Sequence, residues 1–256
     1  MMRKVLLIIT CLLFPTLGWG AGGGLTFPND KIDIDWDDKA AMQRGARTFV
    51  NYCMSCHSAE YSRYNRVGAD LGIPDDLVLE NLVFTTDLKG EQTRVGALMK
   101  NTMTTSYGEE AFGIAPPDLS LVARSRGINW LYNYLRGFYI DDSREGLGVN
   151  NGVVANFGMP HVLAELQGLQ IPKYSTQSDG HGGEHEILVG FEIIKPGSMS
   201  KSEYDNTIHD LVAFLDYVAE PYKQTRRNVG TGVIIFLFVF LILAYMLKKE
   251  YWKDVH

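Results

Sequence analysis

The five residues Cys53-Met54-Ser55-Cys56-His57 constrain the fold of this 256-residue chain more than any other segment. In a C-x-x-C-H sequence the two cysteines lie about one helical turn apart, so each thiol can form a thioether with one vinyl group of the same porphyrin. The histidine that follows is then placed under the iron. The segment predicts covalent attachment of haem c through Cys53 and Cys56, with His57 as the first axial ligand.

A zinc site and a thioredoxin-like redox site are the alternative interpretations of the C-x-x-C pair. Tetrahedral zinc normally needs a second pair of soft ligands, and the only other cysteine is Cys11. A thioredoxin-like motif follows an apolar strand, whereas the residues before Cys53 have the pattern of a helix that ends near Tyr52. Both alternatives therefore fit the sequence less well than haem attachment does.

Residues 1–20 have the pattern of a cleavable export signal. Two basic residues precede an apolar run over 5–14, and small residues follow it over 18–22. An N-terminal membrane anchor is the alternative, but the run is short and Pro15 would interrupt a spanning helix. Cys11 lies inside the apolar run, so it is expected to leave with the signal.

Residues 229–247 form an uncharged, apolar run that is long enough to cross a membrane. The run has 19 residues, and at about 1.5 Å per residue such a helix covers the hydrocarbon core of about 30 Å. Export of the N-terminus places the domain over 21–228 outside the membrane and leaves 248–256 in the cytoplasm, in agreement with a slight excess of lysine after the run. The sequence predicts a single-pass protein of a bacterial inner membrane with a periplasmic domain.

The predicted periplasmic domain is acidic. Residues 21–228 contain 28 Asp or Glu against 19 Lys or Arg, a formal charge of −9. This excess argues against a nucleic-acid-binding function and favours a basic protein partner, because opposite electric fields steer diffusional encounter. An acidic surface that serves only solubility is the alternative.

Two helices are predicted at the ends of this domain. Asp38 has the position of an N-cap for a helix over 39–50 that leads into the haem motif. Residues 200–203 have the sequence of a capping box, and the helix that they begin carries an apolar stripe until Pro221. Gly45 permits close approach of another helix, so the two helices are expected to pack together.

The chain between these helices is rich in Gly, Pro, Asn and Asp, with short helices predicted near 75–83, 94–100 and 129–138. Such loop-rich structure needs a large apolar surface to pack against, and a haem supplies one. Residues 187–194 have the pattern of a strand in a small hairpin. The predicted fold is mainly α: a haem domain like class I cytochrome c, with long loops, a small β hairpin and one C-terminal transmembrane helix.

The second axial ligand decides whether such a haem carries electrons or binds a small molecule. A thioether raises the reduction potential and leaves no open coordination position. Met159 is favoured, because Gly158 lets the backbone approach the ring and Pro160 fixes the direction of the chain. His161, two residues away, competes with it. His181 and His185 could bind another metal, but a solvated turn is the favoured interpretation of that pair.

The segment Ala115-Pro116-Pro117-Asp118-Leu119-Ser120, followed by Arg124-Ser125-Arg126, resembles the A/L-P-P-D-L-S…R-A-R segment of the cytochrome c1 family. This family provides the haem subunit of the cytochrome bc1 complex. The export signal, the C-x-x-C-H motif, this segment, Met159, residues 214–221 and the C-terminal anchor follow in the order of that family. The resemblance covers nearly the whole chain, except that residues 86–111 match the family poorly.

The resemblance implies a role for several residues of the haem pocket. Met159 becomes the second axial ligand, and Arg126 becomes a partner for a haem propionate. Trp130 and Tyr134 are candidates to line the pocket or to hydrogen-bond within it, and plain core packing is the alternative for both. Pro116 and Pro117 would form a wall beside the ring. Past the signal there is no cysteine outside the haem pair, so the disulfide that braces the loops of some relatives is absent here.

The function that the resemblance implies is electron transfer within a ubiquinol–cytochrome c oxidoreductase. The chain would accept one electron from the Rieske iron–sulfur protein and pass it to a mobile c-type cytochrome, while its anchor packs against cytochrome b in a dimeric complex. No substrate bond changes on this chain, so no catalytic residue is assigned. A free-standing membrane-anchored electron carrier, a haem sensor or enzyme with an open sixth position, and a non-redox assembly subunit are the alternatives.

Overall fold

The computed structural model describes residues 29–87, 89–178 and 184–254. The predicted export signal over 1–20, Cys11 and the turn that holds His181 lie outside these residues. The helices, in chain order, are α1 (Lys39–Thr48), α2 (Tyr64–Leu71), α3 (Asp75–Asn81), α4 (Thr105–Phe112), α5 (Val122–Arg126), α6 (Ile128–Arg136), α7 (Ala164–Gln167), α8 (Lys201–Ala219) and α9 (Lys223–Tyr251). The strands are β1 (Ala59–Arg63), β2 (Leu98–Met99), β3 (Phe138–Ile140), β4 (Val149–Asn151), β5 (Gly168–Ser178) and β6 (Glu184–Pro196).

The predicted beginnings of the two end helices are confirmed. The Asp38 carboxylate accepts a hydrogen bond of 2.9 Å from the backbone N–H of Ala41 and caps α1. Ser200 and Glu203 form both halves of a capping box at the start of α8. After Thr48 the chain continues in a π-helical turn over Phe49–Cys53, so α1 runs directly into the first cysteine of the haem motif.

Helices α1 and α8 pack together at Gly45, as predicted. A Cβ atom on Gly45 would lie 2.7 Å from the carbonyl carbon of Asp210 and 2.8 Å from Cβ of Phe214. One turn further along, the rings of Phe49 and Phe214 are in contact, with centroids 5.6 Å apart. The close contact of these two helices therefore depends on the absence of a side chain at Gly45.

We expect Gly45→Ala to lower the free energy of unfolding by about 3 kcal/mol, because the added methyl group forces apart two packed backbones. Chemical unfolding of the haem-loaded chain in detergent measures the change. Gly96→Ala is the matched control, since a Cβ atom on Gly96 meets no atom within 4 Å. Equal stability of the two variants would contradict this account of the crossing.

The prediction of a helix over 94–100 is wrong. The structure has a turn there, followed by strand β2, which pairs antiparallel with β1. The carbonyls of Val95 and Ala97 accept hydrogen bonds from the N–H groups of Asn65 and Tyr64, at 2.8 and 3.2 Å. These tertiary hydrogen bonds tie the segment to the start of α2, and it forms a turn and a short strand in place of a helix. The helices predicted near 75–83 and 129–138 are confirmed as α3 and α6.

The predicted hairpin is confirmed and is longer than expected. Strand β5 has 11 residues and β6 has 13, and they pair antiparallel from Gly168 opposite Pro196 to Ser178 opposite Glu184. The ring of Tyr139 on β3 stacks against Phe191 on β6, with centroids 5.7 Å apart. The hairpin is thereby joined to the strand pair β3–β4, which precedes Met159 in the chain.

Helix α9 contains the predicted membrane run over 229–247. Among the described residues it is the one helix long and apolar enough to cross a membrane, with a mean hydropathy of 2.6 over its most apolar 18 residues. None of its side chains is buried against the domain. This agrees with a single-pass membrane protein.

Ion pairs hold the corner between α8 and α9. The buried carboxylate of Asp216 accepts a bond of 2.7 Å from Nζ of Lys223, which also lies 4.9 Å from the ring centroid of Trp36. Glu220 and Arg226 form a second ion pair across the same corner. The start of the membrane helix is therefore attached to the domain by side chains as well as by the backbone.

Candidate haem site

The C-x-x-C-H motif closes into one tight turn at the end of the π-helical segment. The N–H groups of Cys56 and His57 both donate to the carbonyl of Cys53, at 3.1 and 2.8 Å. Cys53 and His57 are buried, Cys56 is partly buried, and the two thiols are not joined in a disulfide. The turn thus brings the two thiols and the imidazole to one place at the edge of the core.

The environment of Cys53 disfavours a redox-active cysteine pair. Burial, with a smaller contribution from Cys56, raises the pKa of Cys53 to about 12, whereas a redox-active pair needs a depressed thiol pKa. For zinc, the described residues contain no group of three or more His, Cys, Asp or Glu side chains that could hold a metal ion. An uncharged thioether is well accommodated in the buried setting of Cys53.

A hydrogen bond fixes the orientation of His57. Its Nδ1 lies 2.7 Å from the carbonyl oxygen of Pro117. A carbonyl oxygen only accepts, so Nδ1 carries the hydrogen and the lone pair is on Nε2. Burial lowers the pKa of His57 and outweighs the opposing effect of the Pro117 carbonyl, so the imidazole is neutral and able to bind iron.

The segment over 117–120 holds the residues that follow the haem motif. The Asp118 carboxylate accepts hydrogen bonds of 2.8 Å from the N–H groups of Glu60 and Ser120. The Ser120 hydroxyl accepts one of 3.1 Å from the N–H of Tyr61. Asp118 and Ser120 were not assigned as site residues from the sequence. Their place in the segment that resembles the cytochrome c1 family could have identified them.

The two prolines of this segment have different positions. The Pro117 ring is exposed, and the residue contributes through its carbonyl to His57. Pro116 is partly buried against α4, where a Cβ atom on Gly108 would lie only 2.7 Å from Cδ of Pro116. A cavity of about 400 Å³ opens beside Cys56 and Pro116 and is further lined by Ser58, Lys100, Asn101 and Met103.

Met159 lies in a group of aromatic side chains. The Tyr134 hydroxyl donates to Sδ of Met159 at 3.5 Å. The Tyr134 ring stacks on Trp130 with centroids 4.8 Å apart and contacts Phe157 edge-on at 5.1 Å. Burial raises the pKa of Tyr134 above its ordinary value, so the hydroxyl is protonated and serves as the donor.

The structure places Arg126 beside the same aromatic group. Its guanidinium lies over the ring of Trp130, 5.3 Å from the centroid, and it forms no ion pair with an acidic residue in the described part of the chain. Trp130 and Met159 are partly buried against the same apolar core that contains Cys53. The predicted site residues thus form two groups, one around His57 and one around Met159, at the border of one core.

The competing histidines have other surroundings. His161 stacks flat on Phe138, with centroids 4.9 Å apart, and burial lowers its pKa to about 4. Its Nε2 atom has no hydrogen-bond partner among the described residues. His185 belongs to strand β6, and His181 lies outside the described residues.

The fold and the site together define the class of the protein as a membrane-anchored cytochrome of the c type. The donor atoms fit a haem c, because a neutral imidazole with a fixed tautomer and a thioether are ligands that iron accepts in this class. The chain matches the sequence model of the Cytochrome C1 family over residues 29–185 and 192–255. It belongs to the cytochrome c1 family and is an electron-transfer subunit of the cytochrome bc1 complex.

Individual relatives cover the whole chain. Cytochrome c1 of Allochromatium vinosum is 44% identical over 255 residues, which are 100% of both chains. A protein of Nitrosomonas europaea named ammonia monooxygenase gamma subunit is 42% identical over 250 residues, which are 98% of this chain and 97% of that one. A solved chain of a hyperthermophilic respiratory complex III is 14% identical, with a TM-score of 0.43, and the match covers 100% of this chain and 98% of that chain.

Proposed function

We propose that this chain holds one haem c through thioether bonds from Cys53 and Cys56, with His57 and Met159 as the axial ligands of the iron. We propose further that it accepts an electron from a Rieske iron–sulfur protein and passes it to a mobile c-type cytochrome. The haem supplies a one-electron couple when it is bound. The residues of the chain attach it, orient it, and keep both axial positions filled.

The hydrogen bond from His57 Nδ1 to the Pro117 carbonyl carries this proposal. It fixes the tautomer and leaves Nε2 as the metal-facing atom, which is the usual arrangement for a ligating histidine. Pro117 precedes Asp118 and Ser120, whose side chains accept hydrogen bonds from the residues that follow the haem motif. These bonds hold the Pro117 carbonyl in place. The orientation of the imidazole is therefore set by hydrogen bonds within the chain.

Two contacts support the roles of Met159 and Arg126. Tyr134 holds the thioether of Met159 through its hydroxyl, and a sulfur that accepts this bond still has a lone pair for iron. Arg126 lies over Trp130, and its guanidinium forms no ion pair with a carboxylate among the described residues. Its N–H groups are therefore available to bind a haem propionate. Trp130 and Pro116 are partly buried and suited to line the pocket.

We expect Tyr134→Phe to lower the midpoint potential of the holoprotein. The hydroxyl draws electron density from the Met159 sulfur, which favours the reduced protein. A difference of about 1 kcal/mol in this hydrogen bond between the two oxidation states corresponds to about 40 mV for a one-electron couple. Redox titration measures the shift.

Tyr204→Phe is the matched control for this titration. Its buried hydroxyl donates 2.8 Å to the carbonyl of Leu135 rather than to a thioether. A potential that stays unchanged in Tyr134→Phe, or falls equally in Tyr204→Phe, would contradict the role of Tyr134.

We also propose an arrangement of the chain in the membrane, from its sequence and its family. Residues 1–20 act as a cleavable export signal, 21–228 as a periplasmic haem domain, 229–247 as the transmembrane helix in a bacterial inner membrane, and 248–256 as a cytoplasmic tail. The transmembrane helix packs against cytochrome b, which carries the quinol chemistry of the oxidoreductase, in a dimeric complex. The exposed apolar face of α9 needs such a neighbour or lipid. The acidic domain suits a basic electron acceptor.

Purification in mild detergent tests the assembly. A tag on the C-terminus of the full chain is expected to recover cytochrome b and a Rieske protein, identified by mass spectrometry. Recovery of the haem-loaded chain alone would favour a free-standing carrier. Recovery with ammonia monooxygenase subunits would instead indicate the assembly that the name of the Nitrosomonas relative suggests.

A further inference from the structure

The loop that leads to Met159 lacks regular structure and a covalent brace. Between β4 and α7 the chain forms turns and bends over residues 152–163. No cysteine follows Cys56, so no disulfide can hold this loop. A thioether on a mobile loop would dissociate readily from iron, since ordering the loop costs conformational entropy at every residue. Side chains must therefore hold it in place.

One arginine binds two successive residues of this loop. Nη1 of Arg144 donates 2.9 Å to Oδ1 of Asn156, and Nη2 donates 2.9 Å to the carbonyl of Phe157. We call these three residues the Arg144 clamp. It acts two and three residues before Met159, on the chain segment that sets the position of the thioether.

The clamp holds the loop in a conformation that the backbone does not favour by itself. Asn156 has a φ of +60°, and it is the one non-glycine residue with positive φ in the described chain. Asparagine tolerates this left-handed region better than most residues, but still at a cost. The side-chain bond to Arg144 and a bond of 2.8 Å from Asn156 N–H to Oδ1 of Asn150 offset that cost.

The arginine is itself held by the turn between β3 and β4. Its N–H donates 3.1 Å to the carbonyl of Asp141, and its carbonyl accepts 2.8 Å from the N–H of Gly148. The Asp141 carboxylate accepts 2.8 Å from Nδ2 of Asn150, the residue that also binds Asn156. Arg144 and Asn156 are therefore both held by hydrogen bonds to residues of β4 and of the turn between β3 and β4.

We propose that Arg144 is a positioning residue that keeps Met159 on the iron, which rests on the proposed ligation by Met159. A planar guanidinium reaches the amide oxygen and the backbone carbonyl together, whereas a lysine ammonium on a flexible stem does not reproduce this fork. Loss of the clamp releases the loop, and the thioether then yields its coordination position to external ligands.

The test uses the full haem-loaded chain in detergent and the variants Arg144→Lys and Arg144→Ala. Loss of a hydrogen bond to a charged group shifts an equilibrium by about tenfold or more. We expect the reduced variants to bind carbon monoxide at least about tenfold more than the natural chain, with a weaker near-infrared sulfur-to-iron band when oxidised. Asn156→Asp keeps an acceptor for Arg144 and should retain the natural behaviour.

Arg94→Lys is the control, since Arg94 is exposed and lies in the turn before β2. An undiminished band and no carbon monoxide binding in Arg144→Lys would overturn the clamp. If the natural chain itself lacks the band or binds carbon monoxide, the ligation by Met159 fails instead. Should Arg144→Ala not accumulate, the lysine variant decides the question.

Discussion

We expect replacement of Met159 with leucine to lower the midpoint potential of the holoprotein by a few tenths of a volt, within the range of about 0.8 V over which axial ligands set haem potentials. A thioether ligand favours reduced iron, and leucine has no atom that would replace the proposed one. The same variant is expected to lose the near-infrared sulfur-to-iron band and to bind carbon monoxide when reduced. Redox titration and absorption spectroscopy measure all three changes.

Met199→Leu is the matched control for this experiment. Sδ of Met199 accepts a hydrogen bond from the Thr207 hydroxyl at 3.5 Å, as Met159 does from Tyr134. The two variants therefore remove the same kind of sulfur contact from different parts of the domain. An unchanged potential in Met159→Leu, together with an intact band, would show that another residue fills the sixth position.

We expect the double variant Cys53→Ala, Cys56→Ala to lose all covalently retained haem, because both proposed thioether positions are removed. Acid-acetone extraction, which removes non-covalent haem, should leave the polypeptide colourless. Each single variant should retain its haem through one thioether and show a shifted band in alkaline pyridine. The stained haem on a denaturing gel gives a second measurement.

Cys11→Ser serves as the control, since the third cysteine lies in the predicted signal. Retention of covalent haem by the double variant would exclude thioether attachment at these positions. A colourless natural chain would revive the non-redox assembly subunit as the function.

Local patterns predicted those parts of the fold whose hydrogen bonds are local. The Asp38 cap and the capping box at Ser200 each satisfy backbone donors within three residues, so the starts of α1 and α8 were readable from the sequence. The helix predicted over 94–100 failed because its carbonyls bind N–H groups about 30 residues earlier in the chain, and no local pattern reports such a partner.

The same distinction applies to the candidate site. The haem motif is contiguous, and the structure places Cys53, Cys56 and His57 in one turn, as the spacing predicts. The contacts of Tyr134 with Met159, of Asp118 with Glu60 and of Arg144 with Asn156 instead join residues that are 12 to 58 positions apart. The sequence supplied these residues, but only the folded chain shows which atoms they meet.

The corner between α8 and α9 has a consequence for how electrons reach the chain. Lys223 pairs with the buried Asp216, and Arg226 pairs with Glu220. The two ion pairs restrain the short connection between the globular domain and the membrane helix. We expect these ion pairs to limit bending of the domain against the membrane helix. A donor and an acceptor would then have to approach a domain that is held near one height above the bilayer.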